Sequence, residues 1–180
     1  MRIAMLDLET TNLSANVGRI IAACVKPLEG PITAFSQEGY RGYQKTLWDD
    51  TPLVEDLEAH LRGYHLLVTY YGRFFDIPFL RSRLTKVPSH KPKRYWSLDL
   101  HLTAKNMLKL SSNRLIALQG FLGLSEEKTG LDPDVWAKAG AGNVRATRTV
   151  AHHCRQDVKV LELAYTRLLD YVKPPVEVYV

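Results

Sequence analysis

The hydrophobic pattern opens with Ile3-Ala4-Met5-Leu6-Asp7-Leu8-Glu9, a near-continuous apolar run typical of a strand buried on both faces, which nevertheless closes on two carboxylates. Gly18 to Val25 (GRIIAACV) and Ile32 to Ser36 follow as strands across a Pro27-Leu28-Glu29-Gly30-Pro31 turn, and such short links predict an antiparallel meander. Glu38 to Lys45, rich in glycine and tyrosine, reads as loop. Thr51-Pro52 starts a helix with an apolar stripe of Leu53, Val54, Leu57 and Leu61. Leu66 to Tyr70 predicts a fourth, buried strand, and Pro78 to Leu84 a helix capped by Asp76. Arg94 to Leu100 predicts a fifth strand leading into a helix from Leu102 to Leu108. A short helix follows near Asn113, with Leu115, Leu118, Leu122 and Leu124 on one face. Pro133 to Gly142 holds a helical turn carrying Trp136. A long helix from Val144 to Tyr171 then carries Val150, Cys154, Val158, Leu161, Ala164 and Leu168 at three- and four-residue spacing, until Pro174-Pro175 stops it. This order predicts a single α/β domain over residues 1–180, a mixed five-stranded sheet flanked by helices on both faces in three layers.

With 180 residues and 46% hydrophobic content, the chain can bury an ordinary core. Its net charge of +5 suits a polyanionic partner without requiring one. Cys24 and Cys154 fall in apolar runs and form no C-x-x-C pair, so neither a zinc site nor a disulfide framework is expected, in keeping with a reducing cytoplasmic location. No signal peptide is visible, and Ile20 to Val25, the longest apolar stretch, is too short to span a bilayer, so no membrane partner is expected.

The candidate chemistry begins at the first strand. Side chains alternate faces, so Asp7 and Glu9 point the same way and repel each other unless a cation lies between them. A bare D-x-E is also compatible with a polar strand end. Asp76 follows the fourth strand in Tyr70-Tyr71-Gly72-Arg73-Phe74-Phe75-Asp76, and Asp157 lies in His152-His153-Cys154-Arg155-Gln156-Asp157 on the long helix. Taken singly, one reads as a helix cap and the other as a solvated helix residue. Four carboxylates brought to one strand end would suit two Mg²⁺ or Mn²⁺ ions, hard cations that prefer oxygen ligands. Two such ions about 4 Å apart can activate a water and stabilise the leaving oxygen of a phosphodiester. A neighbouring histidine is a natural general base for that water. Asp99 reads as a helix cap, and Asp132 and Asp134 as parts of the turn around Pro133.

These segments resemble the DEDD exonucleases of the ribonuclease H-like superfamily. The first motif is Asp7-Leu8-Glu9-Thr10-Thr11, the second Gly72-Arg73-Phe74-Phe75-Asp76, and the third the histidines with Asp157. Leu98-Asp99-Leu100 with Ala104-Lys105 is similar to a further family segment. Ser112-Asn113-Arg114-Leu115, Trp136 and Asp157 to Glu162 look more narrowly like YprB-like and phage-borne exonuclease domains. Asn12 and Tyr71 depart from the usual glycine and asparagine. The resemblance implies a ribonuclease H-like fold and two-metal hydrolysis of DNA or RNA from a free 3′ end. It implies Asp7, Glu9, Asp76 and Asp157 as metal ligands, and nucleic-acid contacts from Thr10, Thr11, Leu13, Tyr71, Arg73 and Phe75. It leaves room for a polymerase or another replication or repair protein as partner. The general base is expected to be His152, at the five-residue spacing of the histidine subtype, with His153, four residues before Asp157, as the alternative. An unbroken helix from Val144 would favour His153. The rival readings are a structure-specific endonuclease of the same fold and a nucleic-acid-binding module without activity.

Overall fold

The apolar run at the N-terminus becomes the centre of a sheet in the computed structural model, which describes residues 1–124 and 130–180. Strand β1 (Ile3–Thr10) pairs antiparallel with β2 (Ile20–Pro27), which pairs antiparallel with β3 (Thr33–Ser36). On its other side β1 pairs in parallel with β4 (Leu66–Thr69), and β4 in parallel with β5 (Arg94–Asp99). A sixth strand, β6 (Val176–Tyr179), closes the sheet antiparallel to β5, giving the order β3-β2-β1-β4-β5-β6. The sheet therefore has six strands where the sequence pattern predicted five. The prolines at 174 and 175 end the helical region, and Val176 and Val178 beyond them alternate with more exposed residues, as an edge strand requires.

Helices α1 (Thr51–Leu61) and α2 (Asp76–Leu84) cover one face, where Leu53, Leu57, Ile77 and Leu80 pack on Leu6, Leu8 and Leu67. The other face receives α3 (Leu100–Met107), α4 (Leu115–Leu122) and α6 (Val144–Leu168). Met5, Leu66, Val68 and Leu98 meet Leu100, Ala104, Leu118, Cys154, Val158 and Leu161 there. Helix α5 (Pro133–Gly140) packs on α6 in a smaller cluster around Ile21 and Val150. Alternation along β1 explains both layers, because Leu6 and Leu8 face α1 and α2 while Met5 faces α6. Among the described residues no helix is long and apolar enough to cross a membrane.

One helix terminus departs from the capping that the sequence pattern predicts, and the start of α6 agrees with it. Asp76 is the first residue of α2 and does not cap it; its Oδ1 accepts the Leu8 N–H of β1 at 2.9 Å. Helix α6 runs unbroken from Val144, capped by the Asn143 side chain, which accepts from Ala146 N–H at 2.9 Å. Asp99 caps α3 as expected, accepting from the backbone N–H of His101, while Asp132, expected in a turn, caps α5 by accepting from Asp134 N–H.

Candidate active site

Strand β1 carries Asp7 and Glu9 to the sheet end where α6 crosses it. Glu9 is buried, with a relative exposure of 7%. Its Oε1 lies 4.0 Å from Nε2 of His153, and Asp157 Oδ2 lies 3.6 Å from the same nitrogen. Ligand atoms of Glu9, His153 and Asp157 all fall within 4.8 Å of one another, as do those of Asp7, Glu9 and Cys154. Helical periodicity accounts for the histidine, since residues 153 and 157 are one turn apart on an unbroken helix and share a face. His152 points elsewhere, into a shallow surface depression with Ser36, Glu38, Arg148 and Arg155. His153, and not His152, therefore lies beside the carboxylates, because α6 has no late start that would rotate position 152 toward them.

Burial and mutual repulsion dominate the electrostatics of the cluster. Burial, followed by the charges of Glu9, Asp157 and Asp76, pushes the Asp7 carboxyl well above its ordinary range. Glu9 is raised well above its range by burial and then by Asp157 and Asp76. Burial raises Asp76 to about 7 although the backbone N–H of Leu8 opposes the shift. Asp157 is raised by burial and drawn back by His153. Asp7 Oδ2 is buried without a hydrogen-bond partner among the described residues. An orphaned carboxylate oxygen beside three more carboxylates fits a hard divalent ion such as Mg²⁺ or Mn²⁺. Cys154 does not fit that role: its thiol donates to the Asp7 carbonyl at 3.4 Å, and burial keeps it protonated.

Beside the carboxylates, Leu8 to Leu13, Phe75 and Trp136 line a cavity of about 440 Å³. Thr10, Thr11, Leu13 and Phe75, singled out from the sequence, meet there. Tyr71 and Arg73 do not. Tyr71 meets His101 edge-to-face and Phe74 at a tilt, with ring centroids 5.0 Å and 5.4 Å away. Arg73 borders a different cavity, described below.

The loop between β4 and α2 is held by Asp99, whose Oδ1 accepts from Tyr71 N–H at 2.8 Å and whose Oδ2 accepts from Arg73 N–H at 3.1 Å. Tyr71 takes a left-handed conformation with φ 66°. At Gly72 a Cβ would overlap the Thr69 side chain, so only glycine fits.

Sequence reasoning named Trp136 only for its helical turn and the family resemblance, with no site role, and passed over Arg83 and Asp50. Trp136 forms a wall of the cavity, and nothing in its short amphipathic helix announces this. Arg83 is buried; its Nη1 donates to the carbonyls of Ala15 and Gly18 at 3.0 Å each, and its guanidinium pairs with Asp50. Asp50 Oδ2 in turn accepts the Ile20 N–H at 2.8 Å. This pair fastens the turn that follows Thr10 and Thr11. No local motif marks Arg83 and Asp50, which are joined only by tertiary packing.

Comparison with known proteins agrees with this architecture. The sequence model of a family described as the RNase_H superfamily matches residues 4–169. Among solved structures, the family B DNA polymerase from the hyperthermophilic archaeon Pyrobaculum calidifontis is similar, with a TM-score of 0.62 and 18% identity. The match covers 93% of this chain and 24% of the polymerase chain, so this chain corresponds to about a quarter of that protein. At that identity the likeness is one of fold. No curated protein matches the sequence.

Proposed function

From the membership of this chain in the RNase H superfamily, we propose that it is a metal-dependent nuclease that removes nucleotides from the 3′ end of DNA or RNA. The observation that carries the reading is the convergence of Asp7, Glu9, Asp157 and His153 beside a cavity of about 440 Å³.

Asp7, Glu9, Asp76 and Asp157 would hold two Mg²⁺ or Mn²⁺ ions. Bound there, the ions supply Lewis-acid stabilisation of the phosphoryl and leaving oxygens. The chain's own residues do the rest. His153 accepts the proton of the attacking water while the water oxygen bonds to phosphorus and the bond from phosphorus to the leaving O3′ breaks. The leaving oxygen takes a proton from solvent, and the products are a nucleoside 5′-monophosphate and a strand shorter by one residue. Leu13, Phe75 and Trp136 give the terminal base an apolar seat, and Thr10 and Thr11 line the same cavity. Asp76 anchors the carboxylate cluster to β1 through Leu8 N–H.

The resemblance to DEDD exonucleases and the fold shared with a DNA polymerase support the 3′ polarity and leave a replication or repair partner open. A 5′-labelled single strand incubated with Mn²⁺ tests the reading. Stepwise shortening from the 3′ end is expected, lost by at least a thousandfold in Asp7→Asn with an unchanged fold. Internal fragments would indicate the endonuclease, and binding without cleavage the inactive module; either result overturns the proposal.

A further inference from the structure

At the far edge of β5, a second cavity of about 270 Å³ is lined by Arg73, Ser97, Asp99, Thr103, Asn106, Lys173 and neighbouring apolar residues. Its floor is polar and buried. Ser97 has a relative exposure of 2%, and its Oγ has no hydrogen-bond partner among the described residues. A buried hydroxyl left in that state is destabilising, and a bound acceptor would satisfy it. The rim is cationic: Arg73 and Lys173 are exposed, and neither forms an ion pair among the described residues. Asp99 is the acidic residue of the lining, but both of its oxygens are already engaged. Oδ1 accepts from Tyr71 and His101, and Oδ2 from Arg73.

A cavity that offers an unused hydroxyl, a guanidinium and an ammonium is complementary to a tetrahedral oxyanion with more than one charge. We propose that this cavity binds a phosphate group. The site is separate from the carboxylate cluster: β5 is two strands from β1, on the order of 10 Å across the sheet. It is also linked to that cluster, because Arg73 lies three residues before Asp76 on the loop that Asp99 holds. The choice of phosphate among multiply charged anions rests on the nuclease reading, which puts phosphodiesters and mononucleotides at this end of the sheet. The oxyanion site itself rests on the cavity.

The test is an amide NMR titration of the full chain in EDTA, with inorganic phosphate, a nucleoside 5′-monophosphate and a short single strand in separate arms. Saturable shifts are expected at Ser97, Thr103, Asn106 and Lys173, with affinity at least tenfold weaker in Lys173→Glu and several-fold weaker in Ser97→Ala. Lys173 is exposed, so its variant reads binding even where the Ser97 variant folds poorly. Saturation by phosphate or the monophosphate identifies a free phosphate as the occupant, whereas saturation by the strand alone identifies a backbone phosphate. Shifts absent from these residues in all three arms, or affinity unchanged in Lys173→Glu, overturn the proposal. The titration reads binding without hydrolysis, so a chain that cleaves nothing can still pass it, and a chain that cleaves can fail it.

Discussion

At the scale of single residues, the carboxylate cluster sets both the chemistry and the stability. Burial raises Asp76 to about 7 from an ordinary value near 3.8, so between those limits the folded state holds a proton that the unfolded chain has released. That contribution is fully present below the ordinary value and is lost as pH rises through about 7; Asp7 and Glu9 act in the same direction. The metal-free protein should therefore melt at a lower temperature at pH 8 than at pH 5, and Asp76→Asn should flatten the slope. A melting temperature in EDTA that climbs over this window would contradict the electrostatic account. The histidines supply a second residue-scale prediction. His153→Ala should lower kcat by about 10²–10⁴, the usual contribution of a general base. His152→Ala should stay within about twofold of the wild type, since that side chain borders Glu38 and Arg148 and not the carboxylates. Single-turnover rates of the two variants decide it, and equal losses would remove the assignment.

At the scale of elements, the candidate site depends on connections that cross between them. The buried Arg83–Asp50 pair joins α2 to the segment before α1, and through the carbonyls of Ala15 and Gly18 to the turn after β1. Arg83→Ala would leave Asp50 buried without its counter-charge, a change that costs about 3–5 kcal/mol in comparable sites. Denaturant unfolding should show a loss of that size, together with a raised KM for the strand, because the Thr10 to Leu13 turn loses its fastening. A stability change below about 1 kcal/mol would mean that the pair is not structurally important.

The whole molecule links the cation site to folding. A ligand that binds the native state alone at a hundred times its dissociation constant adds about 2.7 kcal/mol. For a chain of this size that corresponds to a rise of roughly 5–10 °C in melting temperature. Mn²⁺ should produce such a rise at pH 8, where the carboxylates must ionise, and Asp7→Asn should abolish most of it. Calorimetric scans with and without the ion are the measurement, and an unchanged melting temperature would count against metal binding.

Local pattern determined the core of the sheet and the helices against it. A run such as Ile3 to Leu8 can be buried on both faces only as a central strand, and the stripe of α6 can be buried only against that sheet. Period-two alternation likewise put Asp7 and Glu9 on one face before any fold was known. Beyond those elements, tertiary structure decided. Position 153, on the helix that the spacing predicted from Val144, meets the carboxylates because α6 packs across β1 at that turn. Asp76 bonds to β1, where its sequence suggested a helix cap, because the parallel β1–β4 pairing brings Leu8 N–H within reach. The sixth strand forms because β5 offers an unpaired edge to Val176–Tyr179, and four residues after a proline pair carry too little periodicity to announce a strand alone. Trp136, Arg83 and Ser97 acquire their surroundings from segments distant in sequence. Contacts of that kind arise from how whole elements pack, which no local spacing of residues encodes.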